Sequence, residues 1–257
     1  AQQLVVDDDW WMQEKFDGKR ILMQKNDDQV VGINRKGLVV ALPQPIAQQA
    51  QTIGGRQWLM DGEAIGDAYF AFDLLEQDGV DLRKEPYSRR LTGLCRMLEP
   101  SDKGPIHLVG TACSATTKRE MLAQFRRENR EGAVFKRHAA PHTPGRPASG
   151  GDQFKLKFTA TASCIVAKVN GTKRSVALVL LDGGKRVAVG NVTIGPNQPI
   201  PEAGSIVEIR YLYAYPGGSL FQPVCLGPRD DISPDACTVS QLKYKVGSED
   251  AEGGDAQ

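Results

Sequence analysis

A lysine that is to act as a nucleophile needs neighbours that ease the loss of its proton and steady the group it attacks. Glu14-Lys15-Phe16-Asp17-Gly18-Lys19-Arg20 has residue types for both. Lys15 falls at what reads as a strand end, Asp17 and Gly18 supply a turn, and Lys19 and Arg20 bring cations immediately after it. Packed cations and partial burial lower an amine's pKa, and the same cations suit a nucleotide's phosphates. By itself the cluster reads as readily as a surface hairpin. Further on, Lys155 and Lys157 stand two apart in Phe154-Lys155-Leu156-Lys157-Phe158. A strand points both lysines to one face and leaves Phe154, Leu156 and Phe158 to be buried on the other.

These groups need a scaffold, and the first 75 residues read as antiparallel strands with tight turns. Ile21–Gln24 leads through Asn26–Gln29 into Val30–Ile33, and a Lys36-Gly37 turn follows. Trp58–Ile65 and Ala68–Leu75 form a second strand pair joined at Gly66-Asp67. Leu91, Leu94 and Leu98 recur at helical spacing over Tyr87–Leu98, with Pro100 as the stop. A second helix is expected from Thr116 or Thr117 to Asn129, opened by Thr117 and Glu120 as a capping box. Ala139–Gly151 is rich in Pro, Gly and small residues and reads as a surface loop. Beyond Phe158 come short β-branched strands, Ala162–Val169, Ser175–Leu181, Arg186–Val192 and Ile206–Tyr213, the pattern of a small barrel or sandwich. The expected organisation is an α+β domain at 1–158, an all-β domain at 159–246 and an acidic tail at 247–257.

Composition narrows the class. The 257 residues carry a formal net charge of only +1, so the whole molecule is no polycation. From Lys118 to Phe158, however, 10 basic residues face 4 acidic ones, which suits a phosphate-bearing partner or a solvated helix face. Five cysteines (Cys95, Cys113, Cys164, Cys225, Cys237) form no CxxC pair, which argues against disulfides and structural zinc and for a reduced, cytoplasmic setting. No apolar run is long enough to span a membrane, and the first residues lack the pattern of a leader peptide.

Read in order, the chain resembles the covalent nucleotidyltransferases: ATP-dependent DNA ligases, RNA ligases and mRNA capping enzymes. The family's ordered set is KxDGxR, an arginine in an SRNG-like turn, DGE, an aromatic before Asp, EGxV and KxK. Here these are Lys15–Arg20, Asn34-Arg35-Lys36-Gly37, Asp61-Gly62-Glu63, Phe72-Asp73, Glu131–Val134 and Lys155–Lys157. Asp78–Leu82 followed by Pro86-Tyr87-Ser88-Arg89-Arg90 is similar to the connection DNA ligases carry. The all-β segment resembles their OB-fold domain, and Arg229-Asp230-Asp231 resembles the start of the last motif, RxDK, with Ile232 in place of its lysine.

The resemblance implies an antiparallel-sheet nucleotidyltransferase (adenylation) domain followed by a small OB-fold barrel. It implies an ATP-dependent DNA ligase that seals 5′-phosphate/3′-hydroxyl nicks in duplex DNA through AMP covalently held on Lys15. Lys155 and Lys157 would charge and steady the α-phosphate. Glu14, Arg20, Glu63, Phe72 and Arg229 would bind the nucleotide, Glu63 at the ribose and Phe72 on the adenine ring, with Phe70 as its competitor. Glu131, with Glu63, would take Mg2+ or Mn2+, because hard cations prefer carboxylate oxygen. Arg20, Arg35, Lys136, Arg137, Lys173 and Arg174 would hold nucleic-acid phosphates. Only 14 residues precede Lys15, so ATP is expected rather than NAD, without a separate N-terminal DNA-binding domain, and the molecule is expected to be a monomer. The alternatives are an RNA ligase, a capping guanylyltransferase, or a non-catalytic nucleic-acid binding module.

Overall fold

The structure, a computed structural model, describes residues 2–98, 104–144 and 151–245. The expected acidic tail, the stop at Pro100 and part of the 139–151 loop lie outside the described residues. Two compact units form, one of Ala1–Phe125 and Gly132–Leu156, the other of Arg126–Glu131 and Lys157–Gln257. The division thus falls inside the Lys155–Lys157 run.

The first unit runs α1 (Gln2–Val6), β1 (Trp10–Lys15), β2 (Lys19–Asn26), β3 (Gln29–Asn34), β4 (Val39–Val40), α2 (Gln44–Thr52), β5 (Gln57–Ile65), β6 (Ala68–Gln77) and β7 (Val80–Asp81). It continues with α3 (Tyr87–Leu98), β8 (Ile106–Leu108), β9 (Thr111–Ala112), α4 (Ala115–Arg127), β10 (Gly132–Arg137) and β11 (Gln153–Lys157). One sheet is ordered β4-β3-β2-β5-β6-β7, with β8 parallel beside β6; the other is ordered β11-β10-β1-β9. Alternation along the larger sheet decides what each face does. Ile21, Met23, Trp58, Met60, Tyr69, Ala71 and Leu74 point one way and pack with Ile46 and Ala50 of α2 and Leu91 and Leu94 of α3. Arg20, Asp61, Glu63, Phe70 and Phe72 are therefore left to the other face.

The second unit holds β12 (Ala160–Val169), β13 (Ser175–Asp182), β14 (Lys185–Thr193), β15 (Ile206–Tyr211), β16 (Tyr213–Ala214), β17 (Leu220–Phe221) and β18 (Val224–Arg229). Its main sheet is an antiparallel path, β14-β13-β12-β15-β18, around Cys164, Val166, Leu178, Leu180, Val207, Ile209 and Tyr211. The two end strands, β14 and β18, approach within 8 Å between Cα atoms. Their approach brings the sheet towards closure.

Two expectations change in detail. α4 opens at Ala115 rather than Thr116 or Thr117. The reciprocal cap sits three residues earlier than expected: Ser114 Oγ accepts the Thr117 N–H at 3.2 Å, and Thr117 Oγ1 accepts the Ser114 N–H at 3.2 Å. Glu120 is left inside the helix. The basic run is also not all surface. Lys118 is fully buried, and its ammonium donates to the carbonyls of Leu4, Asp7 and Trp10 at 3.1, 2.7 and 2.9 Å. Its charge ties the α1 end of the chain to α4.

Two motif glycines are demanded by packing. A Cβ on Gly18 would come within 3.0 Å of the Ala64 carbonyl and the Glu63 and Ile65 side chains. A Cβ on Gly62 would fall into the ring of Tyr69. Tyr69 has no exposed surface, and its hydroxyl donates to the carbonyls of Ile21 (2.9 Å) and Met60 (3.2 Å), so it has nowhere to go. Gly62→Ala is expected to cost about 3 kcal/mol of stability by overpacking. A urea midpoint equal to that of the unsubstituted protein would refute this.

Candidate active site

Lys15 ends β1 opposite Gly132 of β10. Gln13 and Trp11 precede it on the same face, opposite Val134 and Lys136. Glu14 lies on the other face, so its backbone rather than its carboxylate borders Lys15. The chain then turns sharply, and Phe16 stacks on Phe70 of β6 (centroids 4.3 Å apart, planes at 20°). This aromatic pair docks the residue after Lys15 on the neighbouring sheet. The turn delivers Gly18, whose N–H bonds the Glu63 carboxylate, and then Arg20, which pairs with Glu63 in the β2–β5 register.

Cations gather around Glu63. Arg20 is held by Asp61 through two contacts, Nε at 2.8 Å and Nη2 at 2.5 Å. Asp61 is buried, so the fork is fixed before any ligand arrives. Arg35 projects from the β3–β4 turn, where Asn34 Oδ1 accepts the N–H groups of Lys36 (2.8 Å) and Leu38 (3.2 Å). That side-chain turn explains why Asn precedes Arg here. Burial raises the pKa of Glu63, against the opposing charges of Arg35 and Lys15 and the Gly18 N–H. Lys155 titrates below an ordinary lysine, first through partial burial and then through Lys15, Arg20 and Arg35. So Lys15, Arg20, Arg35 and Lys155 all act on the Glu63 carboxylate, Arg20 while it is also paired with Asp61. An amine at the centre of such a set can attack a phosphorus whose oxygens the other three cations steady.

The aromatics of β6 divide by what already covers them. Phe70 is taken up by Phe16 and, at 5.3 Å, by the His107 ring. Phe72 is half-buried, and among the described residues no aromatic ring stacks on it. The Lys136 ammonium lies 4.5 Å from its ring centroid. Lys136 is therefore not at a nucleic-acid surface as expected: it is 9% exposed, between Phe72 and Tyr87. No local signal marks this burial, since a lysine after Val-Phe fits an outward strand position equally well. Arg137 is exposed but engaged, with Asp9 at 3.5 Å and Asp152 at 3.2 Å.

The remaining expected residues lie in the second unit. Lys157 Nζ donates to Gln222 Oε1 at 2.9 Å and stands 3.6 Å from Glu131 Oε1. Arg229 is clasped by Asp231 (2.6 and 2.7 Å) and Glu208 (3.1 Å), and Ile232 packs against the sheet core where the motif lysine would stand. Arg174 bonds the carbonyls of Gly195 and Gln198 and, with Lys173, sits in the exposed β12–β13 turn. Among the described residues no three His, Cys, Asp or Glu converge on a metal position. A buried single carboxylate such as Glu131 fits the other mode, in which phosphates and water complete the shell. Among the described residues no helix is long and apolar enough to cross a membrane.

Comparison with known proteins bears on the family and the fold. Residues 63–157 match the family described as the ATP dependent DNA ligase domain. The fold is similar to the ligase domain of M. tuberculosis LigD, with 20% identity, 92% of each chain covered and a TM-score of 0.52. It is similar to a Lig E DNA ligase described as binding DNA with a minimal scaffold (18% identity, 86% of this chain and 93% of that one, TM-score 0.62). It is also similar to Pmar-Lig_PreS3 (16% identity, TM-score 0.69), where 86% of this chain spans 63% of that one. At these identities the likenesses establish a shared fold. No curated protein matches the chain.

Proposed function

We propose that this chain, which carries an ATP-dependent DNA ligase domain over residues 63–157, seals nicks in duplex DNA by way of AMP held on Lys15. The reading is carried by one observation, the gathering of Lys15, Arg20, Arg35 and Lys155 around the buried Glu63 carboxylate.

The Lys15 amine attacks the α-phosphorus of ATP, a nitrogen–phosphorus bond forms, and the bond to pyrophosphate breaks while the amine's proton passes to solvent. Lys155 steadies the charge that builds on the α-phosphate. Glu63 takes the ribose hydroxyls, and Phe72, on which no aromatic ring stacks among the described residues while Phe70 is stacked on Phe16, takes the adenine. A 5′-phosphate oxygen at the nick then attacks the same phosphorus and releases Lys15, with Arg20 and Arg35 holding that phosphate. The adjacent 3′-hydroxyl displaces AMP and closes the backbone. A divalent cation, when bound, supplies further positive charge at the phosphates, and Glu131 is the carboxylate for it. Lys173 and the Arg35 turn offer exposed cations for the duplex, in contacts to backbone phosphate rather than to bases.

The test mixes the protein with α-labelled ATP and magnesium, then adds nicked duplexes. The expected result is a covalent protein label that moves onto the 5′ end of nicked DNA and leaves nicked RNA unlabelled. No protein label removes the nucleotidyl-transfer reading. A label that moves only to RNA makes the chain an RNA ligase.

A further inference from the structure

Resting on the reading above, we propose that Lys136 is a positioning residue for the base. Its ammonium closes the rear face of the Phe72 ring, so that the front face is held and polarised to receive adenine. Lys136 is not part of the cluster at Lys15. It lies further along the same face of β10, two residues beyond Val134 and opposite Trp11.

Four contacts define its seat. The Nζ is 4.5 Å from the Phe72 centroid and 4.4 Å from the Tyr87 centroid, so one cation serves two rings. It lies 3.3 Å from the Phe72 carbonyl and 3.4 Å from the Tyr87 hydroxyl, and that hydroxyl donates to the same Phe72 carbonyl at 3.0 Å. Phe72 is thus gripped by backbone and ring together, from one side.

A buried cation on an aromatic face is worth more than an exposed one because little water competes for it. It draws π density towards the rear and leaves the front face better suited to an electron-rich purine. The ammonium is faced by Asp73 and Asp61, which favour its charge, and by Arg90, Arg20 and the Tyr87 phenol, which is itself held in its neutral form by burial. Burial outweighs the two carboxylates and lowers the group to about 8, so the clamp is charged at neutral pH and discharges just above it.

Adenosine isolates this contribution, because it offers a base and a ribose but no phosphate for Lys155 or Arg35. The test is the inhibition constant of adenosine against ATP in Lys15 labelling, with Lys136→Met and Lys136→Arg beside the unsubstituted protein. Lys136→Met is expected to bind adenosine about ten-fold more weakly, with the label still formed at saturating ATP; Lys136→Arg, which keeps the cation, is expected to stay within about three-fold. For the unsubstituted protein, adenosine should bind several-fold more weakly at pH 9.5 than at pH 7. That series needs no substitution and stands if Lys136→Met does not fold. Equal adenosine binding by Lys136→Met, or a flat series from pH 7 to 9.5, overturns the proposal while leaving the ligase reading intact. An unsubstituted protein that takes no label from ATP fails at the earlier step instead.

Discussion

Lys15→Arg takes no label from ATP, with a loss of at least about 10³-fold, while it still seals a nick whose 5′ end already carries AMP. The two halves of this expectation come from different physics. A guanidinium does not lose its proton near neutral pH, so it cannot attack phosphorus, and no neighbour can compensate. Its charge, however, stays where the Lys15 ammonium was, so Lys155, Glu63 and Arg35 keep the electrostatic neighbour they have now. The last step needs those cations but not a nucleophilic amine. Lys155→Met should impair labelling without abolishing it: the label still forms on Lys15 but about 10²-fold more slowly, since one preorganised charge on the phosphate is gone. Single-turnover labelling and sealing of pre-adenylated nicked duplex measure the two steps separately. A stable label on Lys15→Arg would place the nucleophile elsewhere and break the scheme at its first bond.

What could be read from the sequence depended on whether a feature is local. The strand pairs around Gly66, the helix from Tyr87 to Leu98 and the turns of the second unit follow from alternation, helical spacing and turn residues, all contained within about a dozen positions. The glycines of the first and third motifs also make local sense once Tyr69 and Ala64 are seen beside them. The direction of charge could not be read. Lys118 and Lys136 belong to a basic run that reads as surface, yet both turn inward, because their partners are carbonyls and rings 49 to 114 residues away in the chain. Composition counts charges, whereas only the fold says which of them meet solvent. For the same reason the choice between Phe70 and Phe72 stayed open, since it depends on Phe16 and Lys136 rather than on anything in β6 itself.

The second large effect is one of stability, and it lies directly beneath the same aromatic. Asp73 follows Phe72 and is buried, and it accepts Arg90 Nε at 2.8 Å and Nη2 at 3.0 Å. His142 stands 3.7 Å away, and Arg90, only 2% exposed, also donates to the Glu85 carbonyl at 2.5 Å. Asp73→Asn leaves that guanidinium buried without its counter-charge, a change that typically costs about 3–5 kcal/mol. Replacing both partners, as Asp73→Asn with Arg90→Met, removes the stranded charge and should cost clearly less than the two single losses added together. The pH dependence has a definite sign. Burial pushes the Asp73 carboxyl up, but the hydrogen bonds from His142 and Arg90, with the charge of Lys136, leave it below its ordinary value of 3.8. A carboxyl depressed by folding adds stability that is complete above its unfolded-chain pKa and is lost as pH falls through the folded value. The unsubstituted protein should therefore lose this stability at pH below about 4, while Asp73→Asn, already without it, declines less over the same range. Urea midpoints at pH 7 and pH 3 test both parts. If Asp73→Asn matches the unsubstituted protein at pH 7, Arg90 finds other partners and the buried pair holds nothing. If it falls as expected, weaker adenosine binding should accompany it, because the strand that carries Asp73 also carries the ring that Lys136 holds from behind.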